Sequence, residues 1–173
     1  MTKLGIKGFG RVGKAIFRHL MESPEKWDMD IAAISEWNSL GIPNEKYIET
    51  LIGLIEKDSL YRKPEFKVDN IKKIEEDHFT FTVSGKEFPI YLNRKEVPWS
   101  DHDVDILVDA SLIAKTGPED VESLKACLKG SVKKAVITKT HSHVDLTIVI
   151  GVNEDSYDPS KHLVVSSSSC TGN

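Results

Sequence analysis

The sequence predicts a doubly wound α/β domain: a mainly parallel sheet with an antiparallel hairpin inserted into it. Three observations predict it. Strand and helix patterns alternate from the first residues, a glycine-rich turn joins the first strand to the first helix, and a fully aliphatic strand returns at residues 105–109 after a more polar middle. Taken in order, residues 3–7 form a short strand. From Arg11 to about Met21, Val12, Ala15, Ile16 and Leu20 recur at helical spacing. Residues 30–35 (DIAAIS) read as a buried strand. Asn44 is an expected N-cap for a helix with Tyr47, Ile48, Leu51, Ile52 and Ile55 on one face. Strand, helix, strand, helix is how a parallel sheet opens. Residues 79–83 and 88–92 then flank Ser84-Gly85-Lys86, a hairpin signal. Pro118 starts a helix whose early acids Glu119, Asp120 and Glu122 suit the helix dipole, and Gly130 is expected to close it. Strands are expected at 134–138, 146–152 and 162–165, and a further helix near Cys170.

Composition narrows the function classes. The 173 residues are 39% hydrophobic and 29% charged, enough for one domain with a substantial core and against disorder of the bulk. The longest apolar stretch, 146–152, falls far short of the ~20 residues of a membrane span. The first residues read as a strand rather than a signal peptide. A net charge of -4 and a pI of about 5.9 argue against a general nucleic-acid binder. Two cysteines, Cys127 and Cys170, make no disulfide framework, so a reducing cytoplasm is expected.

Gly8-Phe9-Gly10-Arg11-Val12-Gly13 matches G-x-G-x-x-G, and it lies where a strand gives way to a helix. Gly8 allows the tight turn, Gly10 lets the backbone approach a pyrophosphate, and Gly13 lets helix and strand pack closely. Free N–H groups at the helix start hold the anion. Glu36, at the end of the second strand, can accept both adenosine ribose hydroxyls and would repel a 2′-phosphate, favouring NAD over NADP. The plainer reading of Glu36 is a solvated loop carboxylate. The motif places this chain among Rossmann-type domains.

Cys170 follows the serines Ser166 to Ser169 at an expected helix start, where the dipole would stabilise a thiolate and N–H groups could hold an oxyanion. An inert buried thiol is the alternative. Cys127, beside Leu124 and Leu128, reads as core. A nucleophilic cysteine needs a base, and none of His19, His78, His102, His141, His143 and His162 has a marking spacing. His141 and His143 suggest a metal, but without further ligands a solvated loop is the expectation, and no metal is assigned.

Three stretches, GIKGFGRVG (5–13), GVNEDSYDPSKH (151–162) and SSSSCTGN (166–173), together resemble the glyceraldehyde-3-phosphate dehydrogenase family. Pro98-Trp99 and Asp58-Ser59 resemble it too, while similarity is thin between about Trp37 and Thr140. The resemblance implies an NAD-binding domain over residues 1–169, with 170–173 beginning a catalytic domain that this sequence lacks. It implies Cys170 as the nucleophile, giving a thiohemiacetal and then a thioester that inorganic phosphate cleaves. By the same resemblance Ser169 and Thr171 lie near the attacking phosphate. Phe9, Arg11 and Val12, with Gly8, Gly10, Gly13, Glu36, Ser111, Thr138 and Asn173, contact NAD. The implied partners are the absent substrate domain, a small phosphorylated aldehyde, inorganic phosphate and, as an open question, further copies of the chain.

The family's general base is a histidine of the second domain, which this sequence does not hold. Its C-terminal helix packs back onto the cofactor sheet, so lacking it would leave an apolar face open to self-association. Departures stand at Lys7 for asparagine, Glu36 for aspartate, and Ala110-Ser111-Leu112 for Ser-Thr-Gly near the adenosine side. Thr140-His141-Ser142, near the nicotinamide, and Gly172 for threonine also depart. They keep two alternatives open: a non-enzymatic nucleotide- or partner-binding module, and a related semialdehyde or erythrose-phosphate dehydrogenase.

Overall fold

A computed structural model describes residues 1–37, 45–57, 63–111 and 117–169. In chain order its strands and helices are β1 (Thr2–Lys7), α1 (Arg11–Glu22), β2 (Met29–Glu36), α2 (Glu45–Glu56), β3 (Val68–Lys73), β4 (His78–Val83), β5 (Lys86–Leu92), β6 (Ile106–Asp109), α3 (Pro118–Ala126), β7 (Lys134–Ile137), β8 (Leu146–Thr147) and β9 (Val164–Ser166). They form one sheet of order β3-β4-β5-β2-β1-β6-β7-β9-β8. β1 pairs in parallel with β2 (Ile6 opposite Ile34) and with β6 (Ile6 opposite Val108). The β3-β4-β5 unit is antiparallel within itself but joins β2 in parallel, Ile34 opposite Ile90.

The period-2 alternation of a strand sends β1 into two cores. Leu4 and Ile6 enter the first, under α1 and α2, while the α-carbon of Gly5 faces Trp99 and Val104 of the second, under α3. The first core is aromatic at its centre: Phe17 lies 5.6 Å from Phe9, 5.6 Å from Phe81 and 5.1 Å from Phe88 between ring centroids. Helices on both faces make the sheet doubly wound. The Rossmann-type architecture, with its antiparallel insertion, is as the sequence predicts.

Four boundaries differ from expectation. The hairpin has a third strand, β3, whose polar sequence VDNIKK hides it. α3 ends at Ala126 rather than Gly130, because Cys127 caps it and Gly130 (φ +61°) belongs to the following turn, against Ser100. The strand expected over 146–152 ends at Thr147. There Asn153 accepts the Val149 N–H (2.8 Å) and donates to the Thr147 carbonyl (2.9 Å), folding the segment into a turn that leaves Ile150 81% and Val152 78% exposed. The last strand starts at Val164, after the Asp158 N–H has closed a turn onto His162 Nδ1 at 3.0 Å. The expected cap Asn44, Asp58-Ser59, Leu112 and the expected helix at Cys170 lie outside the described residues.

Candidate functional site

The glycine turn lies at the carboxyl end of β1, where α1 takes one face of the sheet and α3 the other. Its three glycines answer to different demands. Gly8 has φ +93°, and a Cβ there would lie 2.5 Å from the Ser111 backbone nitrogen. A Cβ on Gly13 would lie 2.1 Å from the Gly8 carbonyl oxygen. A Cβ on Gly10 would meet nothing within 4 Å. So the fold requires Gly8 and Gly13 but not Gly10. Gly10 is the N-cap of α1, with no side-chain cap and no acid in the first turn, so that turn's backbone donors keep their pull on an anion. Phe9 anchors the turn by burying its ring beside Phe17, while Arg11 and Val12 are exposed.

Glu36 ends β2 and accepts a hydrogen bond from the Phe9 N–H through Oε2. Burial pushes its carboxyl above the ordinary carboxylate range, against the opposing pull of the Phe9 N–H and the Lys14 charge. It is thus no loop carboxylate: it braces the turn and keeps acceptor capacity for a ligand.

On the other side of β1, the sequence reading missed a cluster. Asp109, 2% exposed, accepts from both the Ser111 N–H (2.9 Å) and the Ser111 hydroxyl through Oδ1, and its Oδ2 faces Lys7 Nζ at 3.7 Å. Thr138 donates its N–H to the Asp109 carbonyl at 3.0 Å. Lys7, Gly8, Ser111 and Thr138 therefore meet at the carboxyl ends of β1, β6 and β7. The available signal was a lysine and an aspartate ending adjacent buried strands. The serine run reaches the same end of the sheet: Ser167 donates its N–H to the Ile137 carbonyl (3.0 Å), and Ser166 donates its hydroxyl to the Lys139 carbonyl (2.7 Å). Ser169 is half-buried beside them, while Cys170, Thr171 and Asn173 lie outside the described residues.

His141 does not lie in a solvated loop. It is 2% exposed, accepts the His143 N–H on Nδ1 (3.2 Å) and turns Nε2 toward Asp120, 4.0 Å away. Tertiary packing against α3 covers it. Among the described residues no group of three His, Cys, Asp or Glu could hold a metal. Cys127 is half-buried, donates its thiol to the Ser123 carbonyl at 3.4 Å, and has its thiol pKa raised by burial, as a packing residue should.

A strand, a glycine turn and a helix, with a carboxylate on the neighbouring strand, all at the point where strand order reverses, define a dinucleotide-binding domain. The family described as "Glyceraldehyde 3-phosphate dehydrogenase, NAD binding domain" matches residues 2–117, and the chain belongs to that family. NAD is the cofactor that membership indicates. Glyceraldehyde-3-phosphate dehydrogenase 2 of Streptomyces avermitilis is 34% identical over 173 residues, covering 99% of this chain and 46% of the relative. Glyceraldehyde-3-phosphate dehydrogenase 1 of Bacillus cereus is 34% identical over 175 residues, covering 100% and 46%. The chain thus spans about half the length of the curated relatives it matches. Among the described residues no helix is long and apolar enough to cross a membrane.

Proposed function

We propose that this chain holds NAD across the carboxyl ends of β1, β2, β6 and β7, as the cofactor-binding half of a phosphorylating glyceraldehyde-3-phosphate dehydrogenase. The observation that carries the reading is Gly10: the fold leaves its Cβ position empty above an uncapped helix start, the space a pyrophosphate needs. The residues fit the group. Backbone N–H groups of the first turn of α1 take the pyrophosphate, Glu36 takes the adenosine ribose, and Ser111 and Thr138 line the crevice at the carboxyl ends of β6 and β7. Bound NAD supplies a hydride acceptor. In the complete enzyme the Cys170 thiolate adds to the aldehyde carbon, and after oxidation inorganic phosphate, set by Ser169 and Thr171, attacks the thioester carbon and expels the thiolate. Asn173 matches a family residue that contacts the cofactor.

Calorimetric titration of the purified chain with NAD and with NADP tests this. NAD is expected to bind and NADP not, because the Glu36 carboxylate faces the 2′ position. No binding of either overturns the reading and favours the partner-binding module that the departures at Lys7, Ala110, Leu112 and Gly172 suggest. The 173 residues by themselves are expected not to oxidise aldehyde, since the family's base is a histidine of its second domain. Phosphate-dependent NAD reduction that Cys170→Ser abolishes would contradict that.

A further inference from the structure

Among the described residues two serines hold a left-handed backbone. Ser84 (φ +51°) does so beside Gly85 in the β4–β5 turn, where a two-residue hairpin demands it. Ser168 (φ +69°) does so at the exit of β9, two residues before Cys170, where no hairpin demands it. We propose that the hydroxyls of Ser166 and Thr140 hold Ser168 in that conformation, and so set the direction in which the chain leaves the sheet toward Cys170. Both are positioning residues for the nucleophile, a role that rests on Cys170 being the thiol that attacks the aldehyde.

The sheet itself does not hold Ser168. β7 ends at Ile137, whose carbonyl accepts the Ser167 N–H at 3.0 Å, and β8 ends at Thr147, after which the Ile148 N–H donates to the Ser166 carbonyl at 2.8 Å. The ladder stops there, and both polar groups of the Ser168 backbone go to side chains. Its N–H donates to Ser166 Oγ at 3.1 Å, and its carbonyl accepts from the Thr140 hydroxyl at 3.2 Å. Ser166 is fully buried and gives its own proton to the Lys139 carbonyl at 2.7 Å, so the oxygen that receives Ser168 is fixed in place. A left-handed backbone crowds the Cβ of any residue but glycine against the following carbonyl. Without its two hydrogen bonds Ser168 has reason to return to negative φ, which turns the chain by more than about 100° about its N–Cα bond.

The groups that hold Ser168 and Ser166 belong to one loop. Thr138 follows β7 at the crevice, the Lys139 carbonyl takes Ser166, and the Thr140 hydroxyl takes Ser168. His141, buried beside Asp120, ties the far side of the loop to α3. The loop that borders the crevice therefore also fixes the exit of the strand that leads to the cysteine. Serine suits position 166 because its short hydroxyl reaches the N–H two residues on while donating to a neighbouring loop.

The test uses the chain with Cys127→Ser, so that Cys170 is its single thiol, and adds Ser166→Ala, Thr140→Val, Thr140→Ser or the pair Ser166→Ala/Ser168→Gly. Two quantities are read: hydrogen exchange of the Ser168 amide, and the rate at which iodoacetamide alkylates Cys170 in the native chain and in denaturing urea. The native parent is expected to react faster than its unfolded form. Ser166→Ala should lower both the protection of the Ser168 amide and the native alkylation rate by about three- to tenfold. Thr140→Val should lower the alkylation rate too, and Thr140→Ser, which keeps the hydroxyl, should not. Ser166→Ala/Ser168→Gly should regain the parent's alkylation rate, because glycine holds a positive φ without help. A loss of packing alone would not be recovered by glycine. Unchanged Ser168 exchange in Ser166→Ala overturns the proposal, as does altered exchange with an unchanged alkylation rate. A native parent that reacts no faster than its unfolded form overturns the reading of Cys170 as the nucleophile, a different result from these.

Discussion

The two halves of the sheet on either side of β1 are built differently. From β3 to β1 the strands run six to eight residues, and the phenylalanines of β4, β5 and α1 interlock beneath them. From β6 outward the strands shorten to four, four, three and two residues. Side chains there take over what a ladder does elsewhere: Asp145 accepts the Leu163 and Val164 N–H groups at 2.8 Å each, and Asn153 bonds both sides of its turn. The glycine turn sits on the seam. One half supplies apolar burial, and the other supplies polar loops gathered at the carboxyl ends of short strands. A cofactor site needs both, since burial positions the turn and loops present the contacting groups.

The sharpest way to break the comparison is to cut the aromatic core. Phe17→Ala empties the centre that Phe9, Phe81 and Phe88 share, and should cost about 3–5 kcal/mol in urea unfolding. A loss under about 1 kcal/mol would mean that the stability lies elsewhere.

Next comes the seam. Gly13→Ala drives a methyl into the Gly8 carbonyl and should fold poorly. Gly10→Ala has space and φ −71°, so its thermal midpoint should stay near that of the parent while NAD affinity falls at least about tenfold, or 1.4 kcal/mol. Equal NAD affinity for Gly10→Ala would remove the pyrophosphate from that space.

How much of this was legible follows the same divide. Alternating strands and helices, the β4–β5 hairpin and the glycine turn were readable because each is encoded within ten or so neighbouring residues. β3 was not, since its two lysines and one aspartate make it a strand only once β4 pairs with it. The apolar run after Leu146 misled for the opposite reason: hydrophobicity suggested burial, but Asn153 intercepts the backbone. The Lys7–Asp109 pair joins residues 102 positions apart (109 − 7), and His141 is buried by a helix about 20 residues before it (141 − 120). Local pattern carries no such information.

Acid should loosen the aromatic half more than the loop half. At its rear Tyr91 hydrogen-bonds His102 Nε2 (2.7 Å) and stacks on His78 at 4.4 Å. Burial lowers the pKa of both imidazoles, with the neighbouring His78 lowering that of His102 further. A folded pKa below the unfolded value of about 6.5 means that the unfolded chain binds more protons in that window. Stability should therefore fall as pH drops from about 7 through 6.5, and level off below the folded pKa values. Glu36 works the other way, since a raised carboxyl pKa penalises the folded state when ionised, and that penalty shrinks as pH falls. Thermal midpoints from pH 7 to 5 should fall in the parent and flatten in His78→Asn/His102→Gln. Unchanged slopes would assign the effect to other groups.

The smallest effect is expected where the loop half meets solvent. Ile150 and Val152 are 81% and 78% exposed, so Ile150→Ser/Val152→Ser gives up little burial and should change unfolding free energy by less than about 0.5 kcal/mol. What it should change is association. Ile150 lines an apolar groove of about 410 Å³ with Ile148, Val149 and Val165, separate from a groove of about 670 Å³ along α1 lined by Val12, Ile16, Trp27 and Met29. If these patches drive self-association, light scattering of the parent at high concentration shows oligomers that the double variant reduces. A monomeric parent would show that both halves of the sheet, however differently built, are finished enough to stand in water.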